Sequence, residues 1–402
     1  MIRVVITGIG MVTPVGHKRE EAWQNFLNGV NGAGEVSCFD TAEYKVHRAC
    51  HVKNFATPLS PDISFPQSEL YRWTYAATKE ALEEAGLLNL DGLNPERCGI
   101  ALGTLSADIR PWEYALRPDP SKKDNGLTPD VVPVYPPISI TEGLSQDFGF
   151  EGPQNVFINA CSSGNHAIAY AFDLMKRGRF DVMLVGGAEP VSQTEFTHFH
   201  NVNSLAPERC QPFDLNRKGL MIGEGAGMLV LETYENASRR GAEIYAELLG
   251  CGLSCDGHHM TAPHPEGDGA RRAMLSTLKA ARLSPDVIDY VSAHGTGTPL
   301  NDKTEVQALK AVFGDRATNL PCSSIKSMIG HSMGAASALE SIICCMAIKR
   351  GIVPPTINYE TPDPECDIDC IPNQARKLSV RYALNNSFAF GGNNATNVFG
   401  RI

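Results

Sequence analysis

Cys161 follows a short predicted strand and begins a predicted helix. Residues 155–159 are rich in β-branched and aromatic types, which favour a buried strand. After the turn, apolar residues recur at helical spacing and the run ends at Gly178. Free N–H groups and the helix dipole favour an anion at a helix N-terminus, so the position predicts a lowered thiol pKa and an oxyanion site. A buried structural cysteine is the alternative that this stretch leaves open.

Three further glycine-rich segments end predicted strands: AHGTGTPLND contains His294, IKSMIGHSMGAA contains Lys326 and His331, and FAFGGNN contains Phe390. Such strand ends meet in one crevice of an α/β fold. A thiolate there can accept an acyl group as a thioester, and two imidazoles can stabilise the enolate left when a carboxylate departs as carbon dioxide. Lys326, five positions before His331, can keep that histidine neutral. A turn cap for His294 and a surface charge for Lys326 remain alternatives.

Strand and helix patterns alternate along the chain, which predicts an α/β fold with a mainly parallel sheet under helical cover. The pattern restarts near residue 246, so we expect two halves of similar plan, residues 1–245 and 246–402. Predicted strands cover 2–7, 98–103, 155–159, 181–186, 223–232, 246–253, 289–292 and 322–325, and a last pair brackets 388–394. Predicted helices cover 20–27, 71–86, 138–148, 269–283, 303–313 and 335–348.

Several other features exclude functions. The net charge of −10 argues against binding to nucleic acid or an anionic membrane surface. Gly8-Ile9-Gly10 imitates a dinucleotide loop, but the third glycine is misplaced and Pro14 follows, so a nucleotide site is not favoured. The twelve cysteines include no Cys-x-x-Cys pair, which predicts packing residues rather than a metal site. No signal peptide and no apolar run of about 20 residues is recognised, which predicts a cytoplasmic protein with reduced thiols.

Together, the four motifs resemble those of the elongating β-ketoacyl-[acyl-carrier-protein] synthases, the condensing enzymes of the thiolase superfamily. The resemblance runs from Ile2 to Asn397. It implies a thiolase-like α/β fold, duplicated into five αβαβα layers, and a dimer. It also implies decarboxylative condensation of an acyl-enzyme with malonyl carried on an acyl carrier protein, with no cofactor and no metal.

The resemblance assigns roles to individual residues. Cys161 becomes the acyl-accepting nucleophile, His294 and His331 bind the malonyl thioester and promote decarboxylation, and Lys326 supports them. Phe390 becomes the gate beside the thiol, with its backbone N–H and that of Cys161 forming the oxyanion hole. The remaining matches are Thr296 and Thr298, with Thr261 in HMTAP, as contacts of the phosphopantetheine arm, and Glu340 as a buried structural glutamate near His331.

Departures from the fatty-acid branch suggest a specialised member. Ser162-Ser163 beside the nucleophile resembles the polyketide style, and Lys218 stands where an aspartate is common. Ser68 and Glu69 replace basic residues expected to dock the acidic carrier. Residues 105–137 contain seven prolines and predict a long irregular excursion that in the family touches the acyl pocket and dimer interface. His258-His259 lies in a loop that is a mobile gate in the family and is not assigned a metal.

Several readings therefore remain open. The chain could serve general fatty-acid synthesis, or be the ketosynthase subunit of a polyketide or polyene system, as a homodimer or as a heterodimer with a chain-length-factor-like subunit. A thiolase would use coenzyme A thioesters without malonyl. A ketosynthase-like acyltransferase would transfer the acyl group to oxygen or nitrogen. A non-catalytic chain-length subunit would usually lack the nucleophile. Starter length and saturation are not encoded in these motifs.

Overall fold

The computed structural model describes residues 2–56, 68–117, 131–134 and 136–402. The first part of the chain forms a sheet covered by helices on both faces. Its elements are β1 (Val4–Val12), α1 (Arg19–Leu27), β2 (Ala33–Glu35), β3 (Arg48–Cys50), α2 (Glu69–Ala85), β4 (Cys98–Gly103), α3 (Arg110–Leu116), α4 (Ile138–Phe148), β5 (Gln154–Phe157), α5 (Ser163–Lys176), β6 (Val182–Glu189), α6 (Gln193–Asn201), β7 (Gly225–Thr233) and α7 (Tyr234–Arg239).

The second part repeats this plan with shorter connections. Its elements are β8 (Ala246–Cys255), α8 (Asp268–Ala281), β9 (Tyr290–Ser292), α9 (Pro299–Phe313), β10 (Cys322–Ser323), α10 (Lys326–Ile329), α11 (Met333–Arg350), β11 (Ile352–Val353), β12 (Arg376–Lys377), β13 (Tyr382–Phe388) and β14 (Asn393–Gly400). None of the helices in the described ranges is long and apolar enough to cross a membrane.

Ten strands form one sheet in the order β5-β4-β6-β7-β1-β8-β14-β13-β9-β10. Each part contributes five strands to this sheet, and their order outward from the β1–β8 pair is the same in both parts. Numbered along the chain within each part, the five strands follow the order first, fifth, fourth, second, third. This repetition supports the division into residues 1–245 and 246–402, which stays a prediction.

The expectation of a mainly parallel sheet was wrong. Five neighbouring pairs are antiparallel (β1–β7, β1–β8, β6–β7, β8–β14 and β13–β14) and four are parallel. The last strand of each part, β7 or β14, runs against both of its neighbours. In the second part the reason is the short connection between β13 and β14, which allows only an antiparallel return.

Helices α5 and α11 form the central layer and contact strands of both parts. α11 is buried along nearly its whole length, from Met333 to Ile348, because apolar strands flank it on two sides. α2 packs outside β1 and β7, and α8 packs outside β8 and β14. The two halves of the ten-stranded sheet, joined by the short β1–β8 pairing, lie on either side of α5 and α11. The order of layers is therefore helix, sheet, helix, sheet, helix, as the thiolase-like five-layer fold requires.

The Gly8-Ile9-Gly10 motif belongs to this packing. β1 continues through both glycines to Val12 instead of turning after residue 7. A Cβ at Gly8 would lie 2.0 Å from the carbonyl oxygen of Ala81 in α2, and one at Gly10 would lie 2.1 Å from that of Ala77. The glycines are therefore needed for close helix–strand approach.

The predicted excursion over 105–137 is not wholly irregular. α3 (Arg110–Leu116) forms within it, and residues 118–130 and 135 lie outside the described residues. Arg110 at the start of α3 is buried and pairs with the carboxylates of Glu224 and Glu69. Glu224 also accepts hydrogen bonds from the backbone N–H groups of Val52 and Val191, at 2.9 Å each. The segment is thus tied to the body of the protein by a buried ion pair.

Candidate active site

Cys161 sits in a single turn of 3-10 helix between β5 and α5, as the sequence predicted. Ala160 has a φ of +49°, in the left-handed region that a non-glycine residue rarely adopts. Ser163 holds this conformation: its Oγ accepts from the N–H of Asn159 at 2.8 Å and donates to the carbonyl of Ala160 at 2.6 Å. Ser162 Oγ donates to the carbonyl of Asn159 at 2.9 Å. The two serines therefore fix the turn that presents the thiol.

Three distant parts of the chain meet at this thiol. Cys161 Sγ and one ring nitrogen of each of His294 and His331 all lie within 4.8 Å of one another. The two imidazoles are 5.4 Å apart between centroids and nearly perpendicular, at 82°. All three residues are buried, with 6%, 2% and 1% of their surface exposed. The convergence predicted from strand ends is present.

The two histidines are positioned through their backbones. His294 follows β9, and its N–H and that of Gly295 donate to the Glu305 carboxylate at 2.8 and 2.7 Å. His331 follows α10, and its N–H donates to the carbonyl of Met221 at 2.6 Å. Glu305 was missed at the sequence level, although it lies in the helix that directly follows the His294 motif. Burial raises the pKa of Glu305 to about 7.

Lys326 and Glu340 form an ion pair directly behind the histidines, and each is only 1% exposed. The predicted neutral state of the imidazoles follows from this arrangement. Burial, and then the positive charge of Lys326, hold the pKa values of His294 and His331 well below the ordinary value. Within the described residues, three ring nitrogens lack a hydrogen-bond partner: Nδ1 of His294 and both ring nitrogens of His331. Neutral, unpartnered imidazoles are available to a substrate oxygen.

The expected lowering of the thiol pKa was wrong for the free site. Burial raises the pKa of Cys161 to about 12, and it outweighs the opposing effects of the Lys326 charge and of the backbone N–H groups of Phe390 and Cys161. The sequence revealed the helix terminus but not the depth of burial. The same two N–H groups were predicted to form an oxyanion hole, and their effect on the sulfur indicates that they face it.

A cavity of about 370 Å³ leads to Cys161, and all three predicted phosphopantetheine residues line it: Thr261, Thr296 and Thr298. The hydroxyls of Thr296 and Thr298 are 2.9 Å apart. Exposed Lys218 also lines this cavity. The structure thus places the predicted arm-binding residues along one path to the thiol.

Phe390 stands between this cavity and a second one of about 490 Å³ that also reaches Cys161. The ring of Phe390 packs on Phe199 at 5.6 Å between centroids. Next to Phe390, Gly391 has a φ of +75°, a backbone conformation that glycine supplies without strain. The second cavity is bordered by Leu105, Ser106, Ile109 and Pro137, so the excursion does reach the space beside the nucleophile.

The polar residues left unassigned have local roles. Ser68 caps α2 by accepting from the N–H of Tyr71 at 3.1 Å, and Glu69 pairs with Arg110 at 2.6 Å. His259 Nδ1 accepts from the N–H groups of Thr261 and Ala262, both at 3.1 Å. Among the described residues, the group with metal-ligand spacing is Cys161, His294 and His331 itself, a donor set suited to a soft divalent ion. The predicted absence of a metal stays a prediction.

The five-layer architecture and a buried cysteine facing two histidines define a condensing enzyme of the thiolase-like class. Comparisons with known proteins give the family. The model of the β-ketoacyl synthase N-terminal domain matches residues 1–237, and that of the β-ketoacyl synthase C-terminal domain matches residues 245–360. The chain belongs to the β-ketoacyl synthase family.

Relatives match over almost their whole length. The 3-oxoacyl-[acyl-carrier-protein] synthase 2 of Staphylococcus aureus is 39% identical over 406 residues, which cover 99% of this chain and 98% of the relative. The ishigamide ketosynthase/chain length factor superposes with a TM-score of 0.93 at 36% identity, covering 100% of this chain and 99% of that one. A type II polyketide ketosynthase in complex with its acyl-carrier protein superposes with a TM-score of 0.91 at 31% identity, covering 100% and 99%.

Proposed function

We propose that this protein is an elongating β-ketoacyl-[acyl-carrier-protein] synthase that extends an acyl chain by two carbons through decarboxylative condensation with malonyl-acyl carrier protein. The observation that carries the proposal is the meeting of Cys161, His294 and His331 at the inner end of a cavity lined by three threonines. A thiol supplies covalent catalysis, and two neutral imidazoles supply stabilisation of an enolate.

In the first half-reaction, Cys161 exchanges with the carrier thiol. Its sulfur attacks the acyl thioester carbonyl, and the N–H groups of Cys161 and Phe390 stabilise the tetrahedral oxyanion. The carbon–sulfur bond to the carrier breaks, and the departing thiolate takes the proton that Cys161 loses. Because no net proton is released, a thiol with a raised pKa suffices, provided that transfer accompanies attack.

In the second half-reaction, His294 and His331 donate hydrogen bonds to the malonyl thioester oxygen. The malonyl carboxylate leaves as carbon dioxide, and its bonding electrons form the enolate that the imidazoles hold. The enolate carbon attacks the acyl-enzyme carbonyl, and the Cys161 thiolate leaves and takes up a proton from water. Lys326, held by Glu340, keeps both imidazoles neutral.

The remaining residues position the substrates in this proposal. Thr296, Thr298 and Thr261 contact the phosphopantetheine arm, and Phe390 gates passage between the two cavities. The activity needs no cofactor and no metal, because every step uses side chains and backbone groups of this chain together with the carrier-bound substrates.

The partners are an acyl carrier protein and a second subunit. Solved relatives include a ketosynthase bound to its acyl-carrier protein and ketosynthases with chain length factors. The second candidate is the ketosynthase subunit of a heterodimer with a chain-length-factor-like subunit. The similarity to the ishigamide ketosynthase/chain length factor favours this assembly over a homodimer. We place the protein in the cytoplasm, where its twelve free cysteines stay reduced.

The direct test supplies acyl- and malonyl-carrier protein and detects the β-ketoacyl product by mass spectrometry. Cys161→Ala should abolish condensation while malonyl decarboxylation at His294 and His331 continues. Unchanged condensation in this variant contradicts the assignment of the nucleophile. Condensation of coenzyme A thioesters without malonyl would indicate a thiolase, and transfer of the acyl group to oxygen or nitrogen would indicate an acyltransferase.

A further inference from the structure

The second cavity has two unlike walls. Leu105, Ile109, Pro137 and Ile158 form an apolar wall. The other part of the lining comes from α6, which contributes Thr194, Glu195 and His198. These residues share one helix face with Phe199, because residues three and four apart on a helix are neighbours. A cavity made only for a saturated hydrocarbon gains nothing from a polar wall.

Glu195 is the unusual member of this wall. It is 5% exposed, and neither of its carboxyl oxygens has a hydrogen-bond partner in the part of the chain that the structure describes. The Ser106 hydroxyl is near enough to favour the charged form of Glu195, but it donates its hydrogen bond to Glu189 at 2.8 Å. No hydrogen bond of normal geometry joins Ser106 and Glu195.

The surroundings of Glu195 favour its neutral, protonated form. Burial, and then the negative charge of Glu189, raise the pKa of Glu195 well above its ordinary value. Glu189 itself is satisfied by the backbone N–H groups of Leu105, Ser106 and Gly334 at 2.5, 2.9 and 2.9 Å. A neutral carboxylic acid offers one donor and further acceptor capacity. Glu195 therefore holds an unused donor close to the nucleophile.

Buried polar groups without partners are rare in folded proteins, and each one calls for a specific explanation. Glu195 and Cys161 line the same cavity. An acyl chain on Cys161 that enters this cavity therefore lies along a lining that includes Glu195. A saturated chain leaves the acid unpartnered, whereas an oxygen on the chain accepts its hydrogen bond.

We propose that Glu195 is a specificity-determining residue that selects acyl chains bearing a hydroxyl or keto oxygen near the thioester, with His198 as a second polar contact on the same helix face. This inference rests on the proposed function, since it needs the acyl chain to be carried on Cys161. It narrows the substrate class from acyl chains in general to partly unreduced ones.

The test measures acylation of Cys161 alone, without malonyl. Octanoyl-, 3-hydroxyoctanoyl- and 5-hydroxyoctanoyl-carrier protein are each offered to the wild type, and the acyl-enzyme is timed by intact-protein mass spectrometry. We expect one hydroxylated chain to acylate Cys161 roughly tenfold faster than octanoyl, the ratio that one net hydrogen bond supplies. Glu195→Leu should lose this preference, and Glu195→Gln, which keeps a donor and an acceptor, should retain most of it.

The outcomes separate the two proposals. Equal rates for all three chains in the wild type, or a preference that survives Glu195→Leu, overturn the role of Glu195. Failure of every chain to acylate Cys161 overturns the proposed function instead. Thermal melting checks that each variant is folded, and if the leucine variant does not fold, Glu195→Ala, which also removes the donor, takes its place.

Discussion

The buried ion pair between Lys326 and Glu340 gives the sharpest prediction about stability. Glu340→Gln keeps the shape of the side chain and a hydrogen-bond acceptor but removes the negative charge beside Lys326. Each partner is 1% exposed, so water cannot replace the lost charge. Breaking a buried pair in this way typically costs about 3–5 kcal/mol of folding free energy.

The assay is denaturant unfolding of wild type and variant between pH 7 and 9, with thermal melting as a second measure. We expect the melting temperature at pH 7 to fall by roughly 5–15 °C. The matched control is Glu365→Gln, which breaks the ion pair between Lys303 and Glu365. The side chain of Lys303 is 39% exposed and that of Glu365 is 58% exposed. That variant should lose no more than about 1 kcal/mol.

Two results bear on the reasoning. The double variant Lys326→Met with Glu340→Leu should recover most of the lost stability, since an apolar pair can replace a buried ion pair of similar volume. If Glu340→Gln is no more destabilising than Glu365→Gln, the charge of Glu340 is not balancing that of Lys326 and the electrostatic account of the site fails.

Three further predictions concern the site itself. His294→Ala and His331→Ala should each slow condensation roughly 10²–10³-fold. Acylation of Cys161, measured by mass spectrometry of the acyl-enzyme, should stay near the wild-type rate. Loss of acylation would contradict the assignment of the histidines to decarboxylation alone. Iodoacetamide should label Cys161 more slowly than exposed Cys255 near pH 7. Because burial raises the pKa of Cys161 to about 12, the labelling rate of Cys161 should still be rising above about pH 9. A labelling rate for Cys161 that levels off near neutral pH would count against that burial. Lys326→Met removes a charge that lowers the pKa of both histidines, so carbon dioxide release from malonyl-carrier protein should decline on the acid side at a higher pH than in the wild type, and identical pH profiles would refute this influence.

The elements that carried a strong period could be read from the sequence. β4 has the predicted bounds, and α2 ends at the predicted Gly86, which has a φ of +67°. The convergence of Cys161, His294 and His331 was also predictable, because each follows a predicted strand and strand ends share a crevice. These features depend on local pattern and on one topological rule.

The features that were predicted wrongly or missed depend on information that no local sequence pattern contains. The direction of β7 is set by pairing with β1 and β6, which are distant in the sequence. The raised pKa of Cys161 is set by burial under residues from several segments. The same holds for Glu195. Its sequence context shows only a polar residue, and the fold places it, buried and without a hydrogen-bond partner among the described residues, in a largely apolar cavity.

The most direct test of the central claim is a single-turnover reaction of preloaded enzyme. Wild type and His331→Ala are first acylated on Cys161, which intact mass confirms, and malonyl-carrier protein is then added. The account predicts that the wild type loses the acyl mass and yields one β-ketoacyl-carrier protein and one carbon dioxide per acyl group, while His331→Ala keeps its acyl group. Release of the acyl group from wild type without carbon dioxide, or equal turnover by His331→Ala, would contradict it.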